Sequence, residues 1–335
     1  MTGLPWHAEA LAQLLARRER MPHALLVSGR EGIGKAEFAR SLARSLLCET
    51  PEAGLACGRC AACGWFAQGN HPDYREVIPE AAEEGDDESA ADGGKEAGKK
   101  SLVIKIDQVR ALAELVSLST HRAGWRVVVI RPAEALQPAA ANALLKTLEE
   151  PPPSTAIVLV GDRPTRLLPT IRSRCQTIAL GPPGAAEAEA WLAGRGVKDP
   201  ALALALAGGA PLLAAALAEP EERDWRNKVV AELSRPDGAH ALAFATGFDR
   251  ARLDRTLAWM QSWVHDLVRL KTAGEVRHHR DARTALAAKA RRARLDSLLS
   301  LERELVQARR LAAHPLNARL VVEHLLMAYN RATLG

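Results

Sequence analysis

Uninterrupted apolar runs alternate with helix-like patterns through the first half of the chain. Such runs of Val, Ile, Leu and Ala are typical of strands that are buried on both faces of a parallel sheet. They lie at residues 24–27, 127–130 and 156–160, and two weaker strand patterns lie at 102–106 and 176–180. Apolar residues at helical spacing predict helices at residues 8–20, 36–47, 107–119 and 138–148. This alternation predicts an α/β domain over residues 1–180.

The apolar pattern is only helical after Pro182 and Pro183. A first helix is expected to run from this boundary through Trp191, and Gly208 and Gly209 turn the chain into another helix. We therefore expect a small helical domain over residues 181–220.

Residues 221–335 are predicted to form a second all-helical domain, with breaks near residues 236–238 and 273–274. One long helix carries an apolar stripe of six leucines: Leu295, Leu298, Leu299, Leu301, Leu305 and Leu311. A final helix is expected after Pro315. Trp259 and Trp263 lie one helical turn apart, and core packing is favoured for them over a ligand site.

A glycine loop joins the first predicted strand to the following helix. Its sequence, Gly-Arg-Glu-Gly-Ile-Gly-Lys-Ala, places Gly29, Gly32, Gly34 and Lys35 as in a phosphate-binding loop. In such a loop, backbone N–H groups and the positive end of a helix face a phosphate, and the Lys adds a charge. The next residue is Ala36, where Mg²⁺ binding requires a hydroxyl group. The alternative is a glycine-rich turn that only matches the pattern.

A second departure from nucleotide hydrolysis follows the strand at residues 127–130. In a hydrolase, this strand would end in two acidic residues, one that positions the metal ion and one that orients water. Here the two positions hold Arg131 and Pro132. The sequence therefore predicts a nucleotide site without hydrolytic activity.

Four cysteines follow the helix predicted after the glycine loop. Cys48, Cys57, Cys60 and Cys63 form a C-x8-C-x2-C-x2-C array, and four thiolates suit a closed, structural zinc site. The alternatives are an iron–sulfur cluster or plain buried thiols. His71 is a further candidate ligand, although a loop role is favoured for it.

Charge is distributed unevenly along the chain. Residues 80–100 hold eight Asp or Glu and three Lys without a large apolar side chain, so a disordered loop is expected there. The net charge of +5 lies entirely in residues 181–335, and residues 271–310 carry eleven basic against five acidic side chains. This excess suits nucleic acid or an acidic partner, or is a solvated helix surface. No membrane-span pattern or export signal is found, so a cytoplasmic location is expected.

Three features together resemble a known family. Residues 142–152 read Asn-Ala-Leu-Leu-Lys-Thr-Leu-Glu-Glu-Pro-Pro, and residues 173–175 read Ser-Arg-Cys. With the four-cysteine segment, they resemble the clamp-loader branch of the AAA+ proteins. The resemblance implies an AAA+ α/β domain, a helical lid and an all-α collar that joins five subunits in an open ring.

The resemblance also implies partners and roles. The partners would be ATPase subunits of the gamma or tau type, a delta-type subunit, primer-template DNA and, indirectly, a sliding clamp. Within Ser173, Arg174 and Cys175, Arg174 would act as an arginine finger on a neighbour's ATP site. Gly161 and Leu212 replace polar sensor residues, which, with Ala36, Arg131 and Pro132, favours a non-hydrolysing subunit of DNA polymerase III.

Alternatives remain open from the sequence. An autonomous AAA+ ATPase would fit the glycine loop, and ATP or ADP binding is undecided. A zinc-dependent nucleic-acid-binding protein would fit the cysteines and the basic C-terminal region. Arg174 could instead pair with a local carboxylate, the ordinary role that Arg172 in the same loop could also fill.

Overall fold

A computed structural model describes residues 3–85, 101–117, 124–235, 240–312, 314 and 316–334. The chain divides into two compact units, Met1–Pro182 and Pro183–Gly335. The first unit contains the sheet, and the second is helical within its described residues. Each unit is described by itself below.

The first unit is built on a parallel sheet of five strands. They are β1 (Ala24–Ser28), β2 (Tyr74–Val77), β3 (Arg126–Ile130), β4 (Thr155–Gly161) and β5 (Gln176–Ala179). Their order in the sheet is β2-β3-β4-β1-β5. All residues of β1, β3 and β4 are buried, as expected for central strands with helices on both faces. The predicted P-loop NTPase-like α/β fold is confirmed.

Six α-helices accompany the sheet within the described part of the first unit. They are α1 (Ala8–Leu15), α2 (Lys35–Leu47), α3 (Ala61–Ala67), α4 (Ile106–Ser117), α5 (Pro138–Glu149) and α6 (Pro169–Arg172). On one face, Leu26 and Ile157 belong to a core cluster with Leu144 and Leu148 of α5. Helix α2 contacts β1, β3 and β4. The sheet is therefore fixed by burial of its central strands.

Three sequence-based boundaries differ from the structure. β2 was missed because Arg75 and Glu76 interrupt its apolar pattern, which an edge strand tolerates since only Val77 is buried. The strand expected at residues 102–106 is wrong: it is reduced to one bridge between Ile104 and Leu136. Helix 8–20 ends early, and Arg18 in the following turn donates to the carbonyl oxygen of Leu46 at 2.7 Å.

The acidic segment at residues 80–100 is only partly described. Residues 86–100, most of the loop expected to be disordered, lie outside the described residues. Its first residues form a 3₁₀ turn, Glu80–Gly85, and Glu80 pairs with Lys105 at 2.8 Å. This ion pair joins Glu80 to the segment just before α4, so the first residues of the range have local structure that the composition did not indicate.

The second unit consists of helices in its described parts. They are α7 (Ala185–Ala193), α8 (Pro200–Leu206), α9 (Pro211–Leu217), α10 (Pro220–Ser234), α11 (Ala241–Ala245), α12 (Leu253–Ala273), α13 (Arg283–Arg292), α14 (Leu295–Leu311) and α15 (Ala318–Thr333). The break expected at residues 236–238 lies outside the described residues, whereas α12 does end at Ala273 before a left-handed Gly274. The described ranges contain no single helix with the length and apolar composition of a membrane span, although the bent pair α8 and α9 meets both criteria together.

The leucine stripe of α14 has two different surroundings. Leu298, Leu301 and Leu305 are buried, whereas Leu295, Leu299 and Leu311 are 36%, 40% and 40% exposed. Only half of the apolar stripe expected from the sequence is therefore buried. The six leucines span more of the helix circumference than one contact surface covers, so some of them face outward.

Packing of Trp259 and Trp263 in the core is supported by their burial at 3% and 0% exposure. Trp263 Nε1 donates to the Tyr329 hydroxyl at 2.9 Å, and this hydroxyl donates to the Leu233 carbonyl oxygen at 2.7 Å. Because each polar atom of this buried chain has a partner, the hydrogen bonds join α12, α15 and α10 without an unsatisfied group.

A buried polar network orders the segment between α12 and α13. Asp266 accepts hydrogen bonds from the backbone N–H groups of Arg277, His278 and His279 at 2.7–3.1 Å. Arg226 forms a bidentate pair with Asp281, at 2.7 and 2.8 Å, and donates to His279 Nδ1 at 3.1 Å. His279 Nε2 lies 2.9 Å from Ser262 Oγ. The His279 ring is therefore held in its neutral form.

Acid should destabilise the protein through His279. Burial, together with the positive charge of Arg226, lowers the pKa of His279 to about 3, whereas an unfolded His has a pKa of about 6.5. Below a pH of about 6.5, the unfolded chain binds a proton at His279, whereas the folded protein does not. The free energy of unfolding should therefore fall by about 2 kcal/mol between pH 7 and pH 5, relative to His279→Gln.

Urea unfolding of both proteins, followed by tryptophan fluorescence at several pH values, measures this difference. Trp259 and Trp263 are suitable probes because their rings lie 5.9 and 5.4 Å from the His279 ring. Parallel pH profiles for the wild type and His279→Gln would contradict the assignment.

Candidate functional site

The register between β1 and β4 brings the glycine loop and the end of β4 together. Ser28, the last residue of β1, pairs with Gly161, the last residue of β4. Both strands run in the same direction, so the residues that follow them emerge at the same edge of the sheet. In open α/β sheets, ligands bind at this carboxyl edge. The site is therefore formed by residues 29–35 and by the turn after Gly161.

The glycine loop has the backbone geometry expected from its sequence. Gly32 and Gly34 have φ values of 76° and 95°, a region that glycine adopts without strain. A Cβ at Gly29 would lie 2.5 Å from the Leu180 carbonyl oxygen, so a larger residue would collide with the backbone after β5. The predicted strand, loop and helix arrangement is confirmed, with α2 beginning at Lys35.

Lys35 is bound to groups of the protein itself. Its Nζ lies 2.5 Å from Asp162 Oδ1 and donates to the Arg30 carbonyl oxygen at 2.6 Å. Lys35 is 6% exposed and Asp162 is 38% exposed. The cation that would contact a nucleotide phosphate therefore already has an anionic partner.

A second carboxylate holds the turn that carries Asp162. Glu134 Oε1 accepts hydrogen bonds from the backbone N–H groups of Asp162 and Arg163 at 2.9 and 3.1 Å. The sequence analysis missed Asp162 and Glu134. An acidic residue directly after a buried central strand was the available signal for Asp162, but the contact with Lys35 depends on the β1–β4 pairing.

The N-terminal segment also holds the loop in place. The Ile33 carbonyl oxygen accepts hydrogen bonds from Trp6 Nε1 at 2.9 Å and His7 Nε2 at 2.8 Å. Ile33 and His7 are buried. The N-terminal segment therefore packs on the loop and supports its conformation.

At the end of β3, an ion-pair cluster occupies the position of the missing acidic residues. Arg131 pairs with Glu76 of β2, and Arg40 of α2 pairs with the same carboxylate at 3.2 Å. Burial acts to raise the pKa of Glu76, but the hydrogen bond and charge of Arg131, with Arg40, lower it below its usual value. A cationic side chain stands where a Mg²⁺-binding carboxylate would be required.

The four cysteines converge. The sulfur atoms of Cys48, Cys57, Cys60 and Cys63 all lie within 4.8 Å of one another, and those of Cys48 and Cys60 are 3.9 Å apart. A tetrahedral zinc site with Zn–S bonds of about 2.3 Å has edges of about 3.8 Å. The set therefore fits a closed zinc site, with Cys60 as the N-cap of α3. His71 lies outside this group, and its Nδ1 accepts from the Asp73 N–H.

Hydrogen bonds to the sulfur atoms favour thiolates at part of this cluster. Backbone N–H groups of Cys57, Cys60 and Cys63 donate to the preceding cysteine of the set at 3.3–3.4 Å. The Thr50 hydroxyl, with backbone N–H groups, lowers the pKa of Cys57 to about 6, whereas burial raises that of Cys48 to about 12. N–H donation to sulfur is the support that thiolate ligands of a metal require.

Arg174 lies between α6 and the edge strand β5. Its Nη2 is 2.5 Å from Glu149 Oε1, and its Nη1 donates to the Thr170 carbonyl oxygen at 3.0 Å. The Arg174 side chain is 35% exposed and that of Glu149 is 50% exposed. The local carboxylate that the sequence left open is therefore present. Both groups remain accessible to solvent. Leu212, at the expected lid sensor position, lies in α9.

The arrangement defines a class of protein. A parallel sheet in the order β2-β3-β4-β1-β5, with a P-loop between β1 and α2, belongs to the P-loop proteins of the AAA+ type. Two features restrict the possible families within this class. They are the helical second unit and the four cysteines from the end of α2 into α3.

Comparison with known proteins identifies the family. Residues 7–184 match the family model "DNA polymerase III, delta subunit", and residues 221–330 match "DNA polymerase III, delta subunit, C terminal". The DNA polymerase III subunit delta' of Pseudomonas aeruginosa is 38% identical, over 79% of this chain and 77% of that protein. The same subunit of Yersinia pestis is 31% identical, over 99% and 96% of the two chains. The chain belongs to the delta-prime family of DNA polymerase III subunits.

A solved structure with a related description also aligns with the chain. It is a DNA polymerase III gamma-subunit-related protein from Thermotoga maritima, with a TM-score of 0.47 and 20% identity. The alignment covers 96% of this chain and 99% of that chain.

One zinc ion should co-purify with each chain. Cys63→Ser should remove it and lower the melting temperature, because the binding free energy of a structural zinc, on the order of 10 kcal/mol in small peptides, is also folding free energy. Cys175→Ser is the matched control, since burial raises the pKa of this thiol to about 11 and it lies outside the cluster. Metal analysis of protein prepared without chelator measures the stoichiometry. Protein without zinc, or zinc retained by Cys63→Ser at full affinity, would reject the site.

Proposed function

We propose that this chain is the non-hydrolysing delta-prime subunit of a clamp loader, the complex that loads a sliding clamp onto DNA during replication. Membership of the delta-prime family gives the setting. The observation that carries the non-hydrolysing part is the state of the P-loop: Lys35 is paired with Asp162, and Arg131 occupies the place of a metal-binding acid. The chain would contribute to the complex through its contacts with other subunits and not through ATP hydrolysis of its own.

The chemistry of phosphoryl transfer supports this part of the proposal. A hydrolysing site needs Mg²⁺ and an oriented water molecule. Ala36 offers no hydroxyl, and Arg131 would repel a divalent cation at the end of β3. Asp162 is held by Lys35, and Glu134 is held by two backbone N–H groups. A metal ion or an attacking water molecule at this site would therefore lack its usual ligands.

The proposed contribution to a neighbouring subunit is Arg174. Arg174 precedes β5, the strand that ends the sheet, and its side chain is partly exposed. A guanidinium group is planar and permanently charged, so it can stabilise the charge that develops on a γ-phosphate. In the assembled complex, Arg174 would exchange Glu149 for this phosphate. The half-exposed Glu149 pair makes that exchange inexpensive, since exposed ion pairs contribute about 0–1 kcal/mol.

The proposed assembly surface lies on the second unit, in the part expected to be the collar. Leu299 and Leu311 of α14, with Leu320 and Met327 of α15, are 40–59% exposed. A groove of about 950 Å³ along α14 is lined by Leu299, Val306 and Leu311 together with Glu302, Arg303 and Arg310. Exposed apolar side chains bordered by charges are typical of protein interfaces. Gamma- or tau-type ATPase subunits and a delta-type subunit would bind there.

The rival enzyme function has one favourable feature, the intact glycine loop. An autonomous ATPase would, however, have to act through a lysine that is paired with Asp162 and without a metal ligand at residue 36. The excess of basic side chains in the C-terminal region is consistent with a contact to primer-template DNA inside the proposed clamp-loader complex.

The isolated protein should not hydrolyse ATP above background. Ala36 and Arg131 leave Mg²⁺ and water without ligands, so no turnover is expected even with DNA present. A phosphate-release assay on the purified chain measures this directly. A turnover that Lys35→Ala abolishes would refute the proposal, because it would show that the P-loop is catalytic.

Arg174→Ala should impair the loader without impairing its assembly. The reconstituted complex should form normally in gel filtration, whereas DNA-stimulated ATP hydrolysis at the site that receives Arg174 should slow by on the order of 10³. Arg172→Ala in the same loop is the matched control and should behave as the wild type. Unchanged hydrolysis and clamp loading in an assembled Arg174→Ala complex would eliminate the role in trans.

A further inference from the structure

The ion pair between Lys35 and Asp162 raises a question that hydrolysis does not address, namely whether the loop can bind a phosphate. We propose that Asp162 is the resident anion of the P-loop: its carboxylate occupies the position at Lys35 that a nucleotide phosphate would take, and it excludes diphosphates and triphosphates from the loop. This inference goes beyond the proposed function, which concerns catalysis, because it concerns binding.

Lys35 is already occupied by groups of the protein. Its ammonium group has two partners at short distance, Asp162 Oδ1 at 2.5 Å and the Arg30 carbonyl oxygen at 2.6 Å. The side chain is almost fully buried at 6% exposure. A phosphate could reach Lys35 only by displacing Asp162, and the displaced carboxylate would remain beside the phosphate. The two negative charges would repel each other, which weakens phosphate binding.

The position of Asp162 is fixed by its surroundings. The β1–β4 register places Gly161 beside Ser28, so the residue after Gly161 is next to the start of the loop. Glu134 Oε1 then holds the N–H groups of Asp162 and Arg163. A Cβ at Gly161 would lie 2.5 Å from Glu134 Oε2, so glycine at this position permits the approach of Glu134. The carboxylate is therefore held at Lys35 by the fold.

The contacts that shape the loop come from the protein and not from a phosphate. Gly32 and Gly34 already have the left-handed conformation, and Gly34 is the N-cap of α2. Trp6 and His7 hold the Ile33 carbonyl oxygen at 2.9 and 2.8 Å. Because these contacts do not involve Asp162, the loop should keep its shape when that carboxylate is removed. Removal would leave a preformed anion site with a lysine that has no anionic partner.

The test is a binding measurement on the full chain with inorganic pyrophosphate and with ADP. Calorimetry should detect little binding to the wild type, whereas Asp162→Asn should bind pyrophosphate about tenfold more tightly or better, a change of about 1.4 kcal/mol. The double variant Asp162→Asn with Lys35→Met should lose this gain. Asp107→Asn, which removes one negative charge from an 84% exposed side chain, is the matched control and should resemble the wild type.

Two results would overturn the inference. One is wild-type binding of pyrophosphate or ADP at micromolar concentration that Lys35→Met abolishes, a result that needs no Asp162 variant. The other is an Asp162→Asn protein that is folded, as judged by circular dichroism and zinc content, and shows no gain in binding.

Hydrolysis is measured separately in the same samples. ATP turnover by the wild type would reject the proposed function. Pyrophosphate binding by the wild type through Lys35 would reject only the role of Asp162.

Discussion

The parallel pairing of β1 with β4 is the constraint on which the rest of the first unit depends. The pairing buries both strands completely and aligns Ser28 with Gly161 at the carboxyl edge of the sheet. The glycine loop and the turn at Asp162 are then neighbours, and the pairing of β5 with β1 brings Leu180, the residue after β5, to the same edge. Backbone hydrogen bonds and apolar burial, not the polar groups of the site, therefore determine where the site lies.

The cationic groups at this edge are paired with carboxylates of the same chain. Lys35 pairs with Asp162, Arg131 pairs with Glu76, and Glu134 holds the backbone after β4. In a nucleotide hydrolase, phosphates and a metal ion would satisfy the corresponding groups. Here the charges are balanced within the chain, so the loop can serve as a structural connection between β1 and α2. This gives a physical reason for an intact glycine loop in a subunit proposed to be catalytically inactive.

The two units are stabilised by different means. In the first, burial of the central strands fixes the sheet, and the four cysteine sulfur atoms lie together where the chain passes from α2 to α3. In the second, buried hydrogen bonds join helices that already pack through leucine and tryptophan: Tyr329 connects Trp263 to Leu233, and Asp266 orders residues 277–279. The exposed leucines of α14 do not take part in this packing, so they are available for the proposed assembly surface.

The sequence by itself determined the features that depend on local pattern. These include the three central strands, the glycine loop, the four cysteines, and the absence of a hydroxyl at residue 36 and of acids at residues 131 and 132. Period, spacing and residue type are sufficient for them, since each is read within a few neighbouring positions. The motifs at residues 142–152 and 173–175, together with the four-cysteine segment, indicated the family, which the comparisons then established.

Only the tertiary structure decided which of these residues meet. Asp162 reaches Lys35, 127 positions earlier in the chain, through the β1–β4 register. Likewise, Glu149 reaches Arg174 because α5 and α6 are in contact. β2 forms at the sheet edge although its charged residues interrupt the apolar pattern that would predict a strand. Half of the leucines in α14 face outward for the same kind of reason. Long-range pairing and burial depend on how elements pack, and a local pattern carries no information about the partner that an element will find.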